Sequence, residues 1–341
     1  FILKPESSFF CYKTIVWATI SHLLLKIQIM VQIKRVLSFS IILFLLSCGN
    51  KNPSPTLSEN PLAIQVKKSS DPFNEYWYQG KAEITSYDLQ QARYGENREG
   101  SAVLVFVSED FSKKNHVKLD NPGRSPKDII PVLKLNMTRK FNTGIYPYSM
   151  MLSSFTPVDL TKNPNTLKVT NSSQEWCGHT FMQLNLGRYS YESQLFSYFE
   201  SEGDKTTRLE KTLLEDELWS KIRIDPNSLP QGNIDIIPST TYARLKHIDF
   251  KNEKATASIK EKGKEMHFHL FYKTIDRKLS IIFEKAFPHR IISWEETYKS
   301  GFGSSPKTMT TKGTRKKSIL LDYWSKNRNE DVVYRRELGL E

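Results

Sequence analysis

From residue 71 onward the chain reads as one strand after another, and that succession leaves few folds open. Residues 76–87 are aromatic and β-branched with partial alternation. Residues 102–107 form an unbroken apolar run, the pattern of a strand buried on both faces. Residues 132–138 and 146–155 predict two more strands. Residues 176–186 and 188–199 flank Gly187 and predict a hairpin with aromatic side chains along one face. Further strands are expected at 242–250, 255–259, 266–272, 279–287 and 290–298, where turns carry Asn252-Glu253, Lys262-Gly263 and Pro288-His289.

Helical periodicity occurs twice. Residues 212–224 set Leu213, Leu214, Leu218, Trp219 and Ile222 near one face and stop before Pro226, and residues 318–327 give a weaker pattern. Strands in runs with so few helices predict a mainly β, β-rich α+β domain over 71–341, built as a large curved antiparallel sheet or open barrel with one or two short helices. A subdivision near 226–238 is compatible with the prolines there, and a continuous sheet is equally so.

Composition narrows the partners. Hydrophobic residues at 38% and charged residues at 25% belong to a globular chain. The formal charge of +12 over 341 residues invites a nucleic-acid reading, but its distribution argues against one. Residues 1–47 hold five Lys/Arg and one Glu, leaving 44 basic against 36 acidic residues beyond them, and these interleave, as from Arg93 to Glu99. No basic stripe or zinc-finger spacing accompanies them, so no nucleic acid is expected as partner.

The amino-terminal part carries an export signal. Lys34 and Arg35 precede an apolar run, residues 36–46, and Ser47-Cys48-Gly49 follows. A short cationic stretch, about 7 to 15 apolar residues and small residues at a cut site make a secretory signal. The run is too short for a membrane span, which needs about 20 apolar residues. Residues 30–47 are therefore expected to be a signal peptide beginning at Met30, and 1–29, which open on Phe1, an upstream extension outside the native protein. Leu45-Leu46-Ser47-Cys48 resembles the bacterial lipobox. That resemblance implies diacylglycerol on the Cys48 thiol and cleavage before it. With about 0.8 kcal/mol per buried methylene, two or three acyl chains such as palmitate hold a protein durably on a membrane. Residues 48–70, polar and punctuated by Pro53, Pro55 and Pro61, read as a tether. Gly49 stands where Asp would resemble an inner-membrane retention signal, which favours the outer membrane, on a chain exported through the periplasm.

Candidate chemistry in the domain is sparse. His267 and His269 share a strand face, a common start to a metal site, with Met266, Phe268 and Leu270 on the opposite, core side; no third ligand is evident. Glu175-Trp-Cys177-Gly-His179 brings together a carboxylate, a thiol and an imidazole. On one strand face Cys177 and His179 would sit about 7 Å apart, loose for a catalytic dyad, so a buried free cysteine in an apolar strand is the plainer expectation. Glu295 and Glu296 are adjacent on an expected strand and point to opposite faces. The three cysteines are Cys11, Cys48 and Cys177; with Cys11 outside the product and Cys48 lipidated, no internal disulfide forms. No P-loop, Rossmann fingerprint, nucleophile elbow or HExxH is present, and no cofactor is implied.

Five segments, Glu75-Tyr-Trp-Tyr-Gln-Gly-Lys-Ala-Glu-Ile-Thr-Ser-Tyr87, Gln91-Ala-Arg-Tyr-Gly95, Phe141-Asn-Thr-Gly-Ile-Tyr-Pro-Tyr148, Gln174-Glu-Trp-Cys-Gly-His179 and Ser293-Trp-Glu-Glu-Thr297, resemble a family of envelope lipoproteins of Bacteroidota, flavobacteria in particular. Its members are often labelled septum formation inhibitor Maf. The Ser-x-x-Arg loop of nucleotide-pyrophosphatase Maf proteins, and their alternation of strands and helices, are absent here. The resemblance implies an envelope location and no established activity. Together these features lead to the expectation of a non-catalytic envelope lipoprotein that binds a small ligand or an envelope protein. Two alternatives are a hydrolase using Glu175, His179 or Glu295 brought together from distant strands, and a structural role in envelope maintenance.

Overall fold

A computed structural model describes residues 71–121, 123, 126–301 and 306–340. Cys48, the signal segment and the tether lie outside them. Sixteen strands form one sheet, antiparallel except where β10 meets β11. The chain enters at the middle of the sheet with β1 (Ala82–Arg93). It winds outward through β2 (Glu96–Ser112), the short β3 (Val117–Lys118), β4 (Ile129–Thr143), β5 (Tyr146–Pro157), β6 (Lys168–Glu175), β7 (Gly178–Leu186), β8 (Ser190–Ser197) and β9 (Lys205–Glu210). It then crosses to the far edge and returns through β10 (Leu213–Leu214), β11 (Gly232–Ile237), β12 (Glu253–Lys262), β13 (Glu265–Tyr272), β14 (Arg277–Glu284), β15 (Ile291–Ser300) and β16 (Lys307–Leu321), which closes on β1. Among the described residues the two edges do not pair. Only Lys211 and Thr212 separate β9 from β10, however, a link that spans about 11 Å at most, so the sheet curls into an open barrel.

Alternation decides the two faces. On β1 and β2, Tyr87, Leu89, Ala102, Leu104 and Phe106 point into the barrel and join one continuous core that extends to Phe268, Ile281 and Trp294. The other face of the 102–107 run is covered too. Val103, Val105 and Val107 pack with Ala82, Ile84 and Leu338, the last following α4 (Val333–Glu337). The second face is thus half-buried rather than fully buried as expected, with Val107 buried and Val103 and Val105 partly so. Gly313 makes room for the core at β16, because a Cβ there would lie 2.3 Å from the Trp294 indole.

Four assignments from the sequence need correction. The expected strand at 76–87 opens as a helix, α1 (Pro72–Trp77), because Asp71 caps it through Phe73 N at 3.1 Å and proline occupies its first turn. The expected strand at 242–250 is the helix α3 (Thr240–Lys246). The Ser239 hydroxyl caps its start, and His247, at φ 52°, ends it in the left-handed conformation. Residues 318–327 are the end of β16 and a 3-10 turn, Tyr323–Ser325. The long helix expected at 212–224 is divided into β10, a 3-10 turn at Glu215–Glu217, and α2 (Leu218–Ile224).

That divided segment lies inside the barrel, so its polar residues are buried as well as its apolar ones. Glu215 accepts from Arg277 and from Tyr272 at 2.6 Å. Asp216 accepts from Thr240 N at 2.9 Å, and Glu217 accepts from Thr166 N at 2.9 Å. Three consecutive carboxylates thus fasten the crossing to three different walls. Arg223 of α2 adds a fourth tie, donating to both oxygens of Glu83 on β1 at 2.6 and 2.7 Å. Buried charges persist when paired and hydrogen-bonded, as Glu215 with Arg277, Glu217 with Lys221 and Glu83 with Arg223 are, whereas Asp216 is met only by neutral donors.

Candidate functional site

The meander puts the β1–β2, β4–β5, β6–β7 and β8–β9 turns at one end of the barrel, and α3 caps that end from inside. Tyr242 of α3 packs edge-on against Tyr298 at 5.5 Å, and Arg93 donates to Leu245 O, which seats the helix on the β1 end. On the other side α3 touches β6, where the Asn171 amide donates to the Thr241 hydroxyl at 2.9 Å, and beside that contact a cavity of about 220 Å³ lies between α3 and β6–β9. Inward positions of the strands line it, Asn171, Thr180, Met182, Ser193, Leu195, Lys205 and Thr207, and Thr240, Ala243 and Arg244 face them. Asn171, Thr180, Ser193, Thr240 and Arg244 are themselves buried, so the deep part of the lining is polar, while Lys205, Thr207 and Asp249 at its mouth are exposed. A second hollow of about 390 Å³ lies on the other side of the loop 247–250.

Charge at this cavity is arranged around the β8–β9 turn. Glu202 binds His247 Nδ1 at 2.7 Å and the Ser197 hydroxyl, and its Oε1 lies 3.8 Å from Arg244. The Arg244 guanidinium stacks on Phe199 at 4.6 Å, and its buried Nε–H has no acceptor. Burial, more than Glu202 offsets, pulls the Arg244 pKa below its usual value. Burial and the neighbouring Arg244 also lower that of His247, favouring neutral imidazole. Lys205 reaches Asp249 at 3.4 Å across the entrance.

Beside the cavity the turn tips carry exposed aromatic and apolar side chains: Tyr94, Ile145, Trp176 and Tyr198. Tyr146 links Tyr94, hydroxyl to hydroxyl at 3.5 Å, with Trp176, ring to ring at 6.4 Å. Tyr198 lies flat over Gly178, where a Cβ would meet its ring at 2.5 Å. Three of the five segments quoted from the sequence, around Tyr94, Tyr146 and Trp176, meet at this rim.

The residues singled out in the sequence fare differently. Glu175 is buried at the inner end of β6 and accepts from Cys177 N at 2.6 Å. Cys177 is not in a buried strand as expected. It sits exposed in the tight turn between β6 and β7, because the hairpin closes over Trp176 and Cys177. Hydrogen bonding to Glu175 raises its thiol pKa, the reverse of nucleophile activation. His179 is exposed on the outer face. Glu295 is exposed and pairs with Lys312 at 3.3 Å, whereas Glu296 is buried against Arg139 at 2.7 Å. Six strand spacings separate Glu295 from Glu175, roughly 29 Å along the sheet, so these groups are not brought together.

His267 and His269 lie on the outer face, rings 6.3 Å apart, with Phe268 and Leu270 in the core as expected. His267 bonds Glu265 at 3.1 Å and His269 bonds Ser280 at 2.8 Å. Among the described residues no group of three or more His, Cys, Asp or Glu is placed to hold a metal ion, and no helix is long and apolar enough to cross a membrane. Reading the sequence missed Arg244, Glu202 and His247, since α3 was read as a strand. The Ser239-Thr240-Thr241 start, a helix-capping pattern, was the available signal. No protein-family model, characterised protein or solved structure matches the chain.

Proposed function

We propose that this chain is a lipid-anchored envelope protein of the Bacteroidota lipoprotein type that binds a small ligand in the cavity under α3, without transforming it. The observation that supports binding is the cavity itself, a recess between α3 and β6–β9 walled in part by buried polar side chains. Its position suits a tethered protein. Helix α1, the first described element, packs through Phe73 and Tyr76 on Phe287 in the β14–β15 connection, at the end opposite the cavity. Strand β1 runs about 35 to 40 Å from that end to the rim. The described domain is thus entered at the end opposite the cavity, and the outer membrane is the proposed site of an anchor at Cys48.

Two measurements test the reading. Labelled palmitate should enter the wild-type chain in its host and not Cys48→Ser, which should stay uncleaved; equal labelling would remove the anchor. Filling the cavity with Ser193→Phe should abolish ligand capture while leaving the sheet's circular dichroism unchanged. Capture that survives the filling places the site elsewhere.

A further inference from the structure

We propose that the cavity under α3 receives an oxyanion group, carboxylate or phosphate, of a small molecule, and that Arg244 holds it. This rests on the cavity being the ligand site and names the chemistry that it selects.

The buried arginines of this fold differ in how their donors are met. Arg223 grips both oxygens of Glu83 at 2.6 and 2.7 Å, Arg277 takes Glu215 at 2.6 Å, and Arg139 takes Glu296 at 2.7 Å. Arg244, 7% exposed against 0 to 4% for the other three, is buried too but has no such grip on a carboxylate. Its nearest carboxylate oxygen is 3.8 Å away, beyond hydrogen-bond distance, and that oxygen is held by His247 at 2.7 Å. Arg244 Nη1 lies 3.1 Å from the His247 ring nitrogens, and its Nε–H, like those of Arg139 and Arg277, meets no acceptor among the described residues, so the missing carboxylate is what sets it apart. A desolvated guanidinium costs free energy unless oxygen atoms satisfy its fork of donors, and carboxylate and phosphate match that fork bidentately. Of these four arginines it is Arg244 that lines the cavity.

The rest of the wall fits the same ligand. The Thr180 and Ser193 hydroxyls supply neutral polar contacts, beside an Asn171 amide that donates to the Thr241 hydroxyl, Lys205 stands at the entrance, and Met182 and Phe250 provide an apolar flank. A volume of about 220 Å³ is below the roughly 300 Å³ at which drug-sized pockets begin, so the ligand is compact. Glu202 then acts as an internal rival. It occupies the anion's side of Arg244 at long range, from a turn that ends at Gly203, and an incoming oxyanion takes the closer position.

The test uses the full-length chain in detergent, titrated by calorimetry and thermal unfolding with succinate, inorganic phosphate and glucose, each at ionic strength matched with sodium chloride. At least one oxyanion should bind and raise Tm, whereas chloride and glucose should not. Succinate alone responding assigns a carboxylate, and phosphate alone assigns a phosphate. Arg244→Gln should weaken the oxyanion about ten- to a hundred-fold, and Arg244→Lys should restore part of that loss. Glu202→Gln should tighten binding several-fold, which a purely structural Arg244–Glu202 pair would not produce. If Arg244→Gln does not fold, Glu202→Gln and Ser193→Phe carry the test. Absence of oxyanion binding, or binding unchanged in Arg244→Gln, overturns the proposal. Glucose binding that Ser193→Phe abolishes, with both oxyanions inert, overturns the anion assignment and leaves the cavity as the site; no binding by any probe counts against both.

Discussion

Glu83→Leu isolates what fastens the crossing segment inside the barrel. The pair it breaks is bidentate, and both side chains are 1% exposed. The variant leaves the Arg223 guanidinium buried over Trp77 and Phe106, at 5.0 and 4.7 Å, with the Pro288 carbonyl as its remaining oxygen partner. Removing one member of a buried ion pair costs about 3 to 5 kcal/mol, equivalent to a fall in Tm of about 6 to 15 °C for a domain of this size. Replacing both members, Glu83→Leu with Arg223→Met, removes the stranded charge, and the double variant should return to within about 2 kcal/mol of wild type. The acid limb should change as well. Burial alone would raise the Glu83 pKa, but Arg223, joined by the Tyr76 hydroxyl and Arg290, outweighs it and holds the carboxyl below its usual range. Stability from this group is therefore complete above the unfolded carboxylate pKa of about 4.3 and is lost as pH falls through the lower folded value. In Glu83→Leu that part of the acid-dependent loss should vanish. Urea unfolding followed by tryptophan fluorescence and far-ultraviolet circular dichroism measures all three proteins. A single variant costing less than about 1 kcal/mol, or a double variant as unstable as the single, would refute the reasoning.

Three further outcomes are expected. Burial pushes Asp216 up to about 6, so its folded state holds a proton more tightly than the unfolded chain does, and the stability this gives is lost as pH rises from about 4 to about 6. Asp216→Asn, still able to accept from Thr240, should be more stable than wild type at pH 7 by about 2 to 3 kcal/mol and should flatten that slope in urea titrations. Gly313→Ala should cost about 1 to 3 kcal/mol by driving a methyl into Trp294, visible as a lowered Tm and a changed near-ultraviolet spectrum. Glu175→Gln should speed alkylation of Cys177 by iodoacetamide at pH 8, since the carboxylate now raises that thiol's pKa; an unchanged rate contradicts it.

The sheet was legible because alternation is a local property. Burial of Phe268 and Leu270 against outward His267 and His269 follows from period two alone. The interior segment was not legible in the same way. Leu214, Leu218, Trp219 and Ile222 are buried as their spacing implied, but so are Glu215, Asp216, Glu217, Lys221 and Arg223. A periodic pattern cannot report a helix enclosed on all sides whose charges are met by distant Arg277 and Glu83. The α3 site failed for a different reason. Tyr242 and Ile248 favour strand locally, and the Ser239 cap together with contacts to Tyr298 and β1 decides for helix. Cys177 shows the converse, since its residue type argued for burial and the two-residue turn put it outside.

The most direct measurement is native mass spectrometry of the full-length chain, extracted in detergent from its own membranes, as wild type and as Ser193→Phe. Wild type should carry a small molecule that is released on unfolding and whose mass identifies it, and the filled variant, equally folded and equally lipidated, should carry none. A wild-type chain free of any such molecule, or one retained equally by both proteins, would contradict a ligand site under α3.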